Sequence, residues 1–367
     1  MGQQFLITNV NHGLGHIILN AESSLNALNQ VMAEELLEIL AEWENNSEVS
    51  CIFLEGAGER AFCAGGDIKN LYQALKQKDH EGINPTCLKF FITEYTLDYK
   101  IHTYSKPIIT WNTGITMGGG MGLMNGASHR IVTQTSLLAM PEISIGLYPD
   151  VGATYFFNKL PPGAGLFLGL TGARLNAGDA LTLGLSDFFL KTQTKEILLK
   201  NLIEMSWDLK REANDQKISS LLKDLSTNEL PLPWTKDYLP FFEKLKDITS
   251  VSEFINLCKS FPASEWFHKS MDTFFKGSPM SASIILHQLQ LGRGLSLKEA
   301  FQAELNLSVH CSLKPDFVEG VRALLIDKDQ NPQWSPPSLD EITQDEVACH
   351  FIPLWVANEH PFDNWMN

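Results

Sequence analysis

Cysteine is sparse and scattered in this chain of 367 residues. The six cysteines, at positions 51, 63, 87, 258, 311 and 349, form no Cys-x-x-Cys pair, and no histidine spacing of the zinc type accompanies them. Neither a metal site nor a disulfide framework is therefore implied, and a reducing compartment fits the distribution. Positive charge is also short: 28 Lys and Arg stand against 43 Asp and Glu, a formal net charge of -15. With no long Lys/Arg block, neither a nucleic acid nor an anionic membrane surface is an expected partner. No apolar run approaches the roughly 20 residues of a membrane span. The chain enters Phe5-Leu6-Ile7-Thr8-Asn9-Val10 without a charged-then-apolar leader or an Arg/Ser-rich transit segment, so the expected location is the cytoplasm. Internal repeats and low-complexity segments are missing too. What remains is 44% hydrophobic residues, enough for a substantial core in one large or two modest domains.

The order of patterns along the chain predicts an α/β fold. Residues 5–19 alternate around Asn11-His12-Gly13-Leu14-Gly15 and read as a β-hairpin. Asn29 is a good N-cap for a helix in which Met32, Leu36, Ile39, Leu40 and Trp43 recur at helical spacing, ending at Asn45-Asn46. Strand, glycine turn and helix then repeat: a strand over 50–54, a turn over 56–66 and a helix from about 67; a strand over 107–112, a glycine turn and a helix from about 119. Short apolar strands alternating with helices imply parallel pairing. Beyond Lys191 the β pattern fades into successive helices broken at Pro231/Pro233 and Gly277-Ser278-Pro279, with an irregular tail from Asp327 and a last helix near 340–350. The expected division is an α/β core over 1–194 carrying the site, and a mainly helical region over 195–367 that completes the site's cover and any oligomer contact.

Two glycine turns follow apolar strands. Ala61-Phe62-Cys63-Ala64-Gly65-Gly66-Asp67 comes after Ser50 to Leu54, and Gly114-Ile115-Thr116-Met117-Gly118-Gly119-Gly120-Met121-Gly122 after Ile108 to Trp111. Glycines at a strand-to-helix junction leave backbone N–H groups bare, suited to an oxyanion. Tight packing of a helix on a sheet is the competing explanation for either turn alone. No G-x-G-x-x-G register fits 114–122 and no Gly-Lys-Ser/Thr follows, which excludes a dinucleotide fingerprint and a phosphate loop. Two acids lie downstream. Glu142, amid Met140, Pro141, Ile143 and Ile145, is expected to be partly buried, with a raised pKa suited to acid, base or nucleophile work. Asp150 precedes a helix expected at 152–159, so N-capping competes with a catalytic role. Cys63 reads as small core filler, and none of the ten histidines pairs at metal-ligand spacing.

These residues resemble the crotonase superfamily, also called the enoyl-CoA hydratase/isomerase family. Ala61 to Lys69 looks like its first oxyanion and CoA-binding loop and Gly114 to Gly122 like its second. The run Met140-Pro141-Glu142 to Gly152 and the late block Glu319-Gly320-Val321-Arg322-Ala323-Leu324-Leu325-Ile326-Asp327-Lys328-Asp329-Gln330 resemble its 3-hydroxyisobutyryl-CoA-hydrolysing branch. The resemblance implies a crotonase-like spiral of ββα units with a C-terminal helical region. It implies an oxyanion hole made by the N–H groups of Gly66 and Gly119, a catalytic carboxylate at Glu142, and an acid at Asp150 that orients the substrate hydroxyl or assists with the proton. Ala64, Gly66, Asp67, Lys69, Gly119, Glu142 and Asp150 would contact the acyl-CoA. Gly122 stands where hydratases place a second glutamate, which favours hydrolysis of a thioester of valine catabolism over hydration of an enoyl-CoA. An enoyl-CoA hydratase or isomerase and a catalytically silent acyl-CoA-binding protein are the alternatives. No cofactor is implied, since CoA is part of the substrate, and assembly as a trimer or hexamer is the family's habit.

Overall fold

In a computed structural model, residues 4–77, 82–262, 264–356 and 358–365 are described. The chain divides into two compact units, each assembled from three segments: residues 1–66, 97–138 and 175–236 in the first, and residues 67–96, 139–174 and 237–367 in the second. The expected boundary at 194/195 instead marks a change of secondary structure, because the last described strand ends at Phe189 and helices follow.

The expected hairpin is present as β1 (Leu6–Asn11) and β2 (Gly13–Leu19), turning at His12 with φ of 46°. The strands expected over 50–54 and 107–112 are present as β3 (Val49–Gly56) and β5 (Ile108–Asn112), each followed by a short strand, β4 (Ala61–Cys63) and β6 (Ile115–Met117); β7 (His129–Val132), β8 (Leu137–Ala139) and β9 (Phe188–Phe189) come in addition to those expected. The first strand of each pair joins a six-stranded sheet of order β1-β2-β3-β5-β7-β9, and the second joins a three-stranded sheet of order β4-β6-β8. Apart from the β1/β2 hairpin, the large sheet is parallel. This is the ββα order that the resemblance implied; β4 and β6 lie inside stretches the sequence marked only as turns.

The sheet's period-2 alternation aims Cys51, Phe53, Ile109, Trp111 and Ile131 into one apolar layer. Leu198 and Leu202 of helix Lys195–Ile203, and Ile218 and Leu222 of helix Arg211–Leu225, cover it; each pair is four apart and so shares a helix face. Helix Gln30–Asn45 starts where expected, the Asn29 side chain accepting from the Met32 N–H at 2.9 Å.

The second unit is helical, and its aromatic core gathers Phe241, Phe242, Phe254, Trp266 and Phe267 around Phe167. Helix Pro279–Leu291 begins at the expected Gly-Ser-Pro break, with Ser278 capping and Pro279 at the first position. Helix Leu297–Ser312 is opened by a capping box between Ser296 and Glu299. The expected late helix is Gln344–Cys349.

Candidate active site

In the first unit the two glycine turns meet. Gly65 and Gly118 have φ of +113° and +50°, a region that L side chains rarely adopt, and each immediately precedes one of the expected donor amides, Gly66 and Gly119. A Cβ on Gly65 would lie 3.8 Å from the Gly119 nitrogen, so the donors come from abutting segments. Gly119 opens helix Gly119–Gly126, which leaves its N–H without an intrahelical partner. Neighbouring backbone groups are already engaged: the Gly65 oxygen accepts from Leu28 at 2.8 Å, and the Ala64 N–H donates to Leu25 at 3.1 Å. Gly120 answers a different need, because a Cβ there would come within 2.2 Å of the Cys63 carbonyl oxygen. Gly120→Ala is accordingly expected to destabilise the protein by about 1–3 kcal/mol through overpacking; an unchanged thermal melt would show that the turn yields. Cys63 itself is fully buried and forms no disulfide, in keeping with its reading as filler.

The second unit holds the acids. Asp67 and Lys69 stand at the head of helix Ile68–Lys76, Lys69 exposed and Asp67 half-buried with its carboxylate accepting from Asn70 at 2.6 Å. Glu142 opens a 3-10 turn, Glu142–Ile145, and is 5% exposed; Asp150 is 6% exposed. A third carboxylate joins them. Glu94, 3% exposed, lies on helix Pro85–His102, which the sequence reading did not identify. Burial raises the pKa of Glu142 and Glu94 well above the usual carboxylate range, and the charge of Asp150 raises both further. Burial pushes Asp150 up to about 6 against the lowering effect of a hydrogen bond from Tyr95. Glu142 Oε2 is buried and has no hydrogen-bond partner among the described residues. A buried carboxylate oxygen with nothing bonded to it contributes no hydrogen bond to the fold.

The segment carrying Asp150 is gripped by helix Leu297–Ser312. Glu304 accepts from the N–H groups of Gly152 at 2.7 Å and Thr154 at 2.8 Å, while Gln288 donates to the Pro149 oxygen at 2.7 Å. Helix Ala153–Phe156 thus takes its N-terminal acceptor from Glu304, and Asp150 makes no side-chain cap, which rules out the N-cap alternative. Burial drives Glu304 up to about 8 although both amides favour its anion. Between Asp150 and Gly152, Val151 has φ of +52°, costly for a β-branched residue and held in place by these bonds. Tyr95 and Tyr148 complete the surroundings, both bonded to Ser308, which is one turn beyond Glu304 on the same helix face.

Glu94, Tyr95, Glu304 and Ser308 were absent from the sequence-based candidates. The available clue was an acid on an apolar helix face: Glu94 follows Phe90 and Phe91, and Glu304 follows Phe301 by three. Among the described residues no group of three or more His, Cys, Asp or Glu is arranged to hold a metal ion, and no helix is long and apolar enough to cross a membrane.

Comparison with known proteins adds to this geometry. The sequence pattern of the family described as Enoyl-CoA hydratase/isomerase matches residues 14–351. A mitochondrial 3-hydroxyisobutyryl-CoA hydrolase of Danio rerio is 37% identical over 344 residues, 93% of this chain and 87% of that protein. The Homo sapiens protein of the same name is 36% identical, covering 93% and 86%, and 3-hydroxyisobutyryl-CoA hydrolase 1 of Arabidopsis thaliana is 33% identical, covering 91% and 88%. Among solved structures, a carnitinyl-CoA dehydratase from Mycobacterium thermoresistibile aligns with a TM-score of 0.87 at 30% identity, covering 99% of this chain and 100% of that one. An enoyl-CoA hydratase from Rhodobacter sphaeroides 2.4.1 aligns at 0.83 and 30%, covering 96% and 98%.

Proposed function

Because the chain belongs to the enoyl-CoA hydratase/isomerase family, we propose that it hydrolyses a short branched β-hydroxyacyl-CoA thioester, 3-hydroxyisobutyryl-CoA above all, to the free acid and CoA. The observation that carries this reading is the likeness to hydrolases from vertebrates and a plant across more than nine tenths of the chain. In the proposed reaction the N–H groups of Gly66 and Gly119 polarise the thioester carbonyl and hold the tetrahedral oxyanion. Such donors are typically worth about 2.7–4 kcal/mol each. Glu142 attacks the carbonyl carbon or deprotonates the attacking water, and Asp150 orients the substrate hydroxyl or handles the proton. Ala64, Asp67 and Lys69 are assigned to the acyl-CoA, and Glu94 joins Glu142 and Asp150 as a third acid of the site. No metal or redox group enters this scheme; CoA belongs to the substrate.

The solved structures named for hydratase and dehydratase activity favour a second reading, addition or removal of water at an acyl-CoA double bond. Gly122 speaks against it, because hydration needs a second acid to hold the water and glycine has none. The expected result is rapid thiol release from 3-hydroxyisobutyryl-CoA, followed with a thiol reagent, and almost no loss of enoyl absorbance from crotonyl-CoA. Rapid hydration without free thiol would reverse the assignment, and tight binding without either reaction would mark a silent acyl-CoA-binding protein.

The scattered cysteines, none in a disulfide, support a reducing compartment; the relatives named as mitochondrial lend the cytoplasmic placement no support. Assembly through C-terminal helices into trimers or pairs of trimers follows the family's habit, and sedimentation measures it directly.

A further inference from the structure

Four polar contacts run in line from helix Leu297–Ser312 to Asp150, and the hydrogens available to them can be counted. The Tyr148 hydroxyl donates to the main-chain oxygen of Glu304, an atom with no hydrogen to give. A tyrosine has one hydroxyl hydrogen, so the 2.7 Å contact between Tyr148 and Ser308 Oγ must be filled by the serine hydrogen. That hydrogen is then spent, and the 2.6 Å contact between Ser308 Oγ and the Tyr95 hydroxyl requires Tyr95 to donate. The final contact, 2.7 Å between the Tyr95 hydroxyl and Asp150 Oδ2, is left without a hydrogen if Asp150 is a carboxylate. Two oxygens at that distance with no hydrogen between them repel.

We propose that Asp150 is held as a neutral carboxylic acid, donating its proton to Tyr95 at the head of a chain that runs through Tyr95, Ser308 and Tyr148 to the Glu304 carbonyl. Tyr95, Ser308 and Tyr148 are positioning residues that keep the proton on Asp150. The protonation state stands on the geometry alone; its chemical use rests on the hydrolase reading above.

The surroundings of Asp150 agree. Glu94 and Tyr95 face it from helix Pro85–His102, Glu142 and Tyr148 from its own loop, and Glu304 and Cys311 from helix Leu297–Ser312. Every one of these groups is an acid or a weak acid, and none supplies a compensating positive charge. Burial already pushes Asp150 up to about 6 with Tyr95 donating to its anion. Once the Tyr95 hydrogen is committed to Ser308, that support for the anion is gone and the carboxyl rises further.

A proton fixed on Asp150 removes one of the charges that oppose ionisation of Glu142, so the negative charge can reside on the carboxylate that has a free oxygen. In the attack route, a Glu142 oxygen bonds to the thioester carbon and the C–S bond breaks. The sulfur leaves as thiol with the Asp150 proton. Water then adds its hydroxide to the anhydride, returns one proton to Asp150, and releases the product acid and the Glu142 carboxylate.

The test reads the proton without turnover. In protein carrying carboxyl-¹³C aspartate, infrared spectra at neutral pH, without substrate, should contain an isotope-shifted protonated-carboxyl band that Asp150→Asn removes. Ser308→Ala and Tyr148→Phe each leave as many hydroxyl hydrogens as contacts, letting Tyr95 turn to a carboxylate. Both should abolish the band at neutral pH and move the alkaline limb of the kcat/KM profile down by about one pH unit or more. Absence of the band in the wild-type protein, or its persistence with an unmoved limb in both variants, overturns the proposal. A band that behaves as expected in a protein releasing no thiol would instead count against the hydrolase reading and leave the proton on Asp150 standing.

Discussion

Replacing Glu142 by glutamine is expected to lower turnover by at least ~10²-fold, the range usual for loss of a general base, while leaving the protein at least as stable. The amide keeps the shape of the carboxylate but can neither attack a carbonyl nor accept a proton. The stability half follows from linkage. The carboxyl of Glu142 is raised in the folded protein, so its contribution to stability is fully present below its unfolded value near 4.5 and is lost as pH rises through the folded value. Glutamine removes that loss, so the melting temperature at pH 7 to 8 should hold or rise. A variant that keeps wild-type thiol release removes Glu142 from the chemistry. Single turnover in ¹⁸O-water with enzyme in excess then separates the two roles: label entering Glu142 marks the anhydride, and label in the product alone, with no acyl-enzyme trapped by an added nucleophile, marks a general base.

Glu304→Ala is expected to have the largest effect on stability. It strips the acceptor from two buried amides, Gly152 and Thr154, at about 1–3 kcal/mol for each group left unsatisfied. It also leaves a void in a fully buried position. A loss of about 4 kcal/mol in urea unfolding is the expected outcome, and it should carry turnover down with it. The reason is Val151: its left-handed backbone is tolerated only while Gly152 and Thr154 are held, and release of that strain would swing Asp150. Glu304→Gln, which keeps one accepting oxygen, should recover part of both. If the alanine variant unfolds like the wild type, Glu304 is not the clamp described above.

The alternation of strands and helices was legible because each uses a local code: period 2 in Cys51, Phe53, Ile109 and Trp111, an asparagine cap at Asn29, and glycines at the strand ends. The strands β4 and β6 were hidden because three residues beside glycine carry too little periodicity to outweigh a turn composition. The burial of Glu142 could be read from sequence, since a carboxylate between Pro141 and Ile143 is anomalous in itself. Glu94 and Glu304 could not be assigned in the same way. An acid on a helix is ordinarily a solvated face, and only the folded chain shows that these two point inward. Helix capping, the competing explanation for Asp150, could not be dismissed from sequence for a related reason: the acceptor that serves that helix is 154 positions away from Asp150 along the sequence, outside any local pattern.

The span of the hydroxyl chain sets a clock on biogenesis. Tyr95 and Ser308 are 213 residues apart, and translation at roughly 5–20 residues per second puts some 10–40 s between their emergence. Throughout that interval the growing chain can complete much of its parallel sheet, yet Asp150 lacks both its proton wire and the helix that braces its loop. A ribosome-bound intermediate therefore presents glycine turns and acids that are not yet an enzyme, and its segment around Val151 is free to adopt an unstrained backbone. The loop bearing Asp150 gains these contacts only after the helix carrying Glu304 and Ser308 has been made.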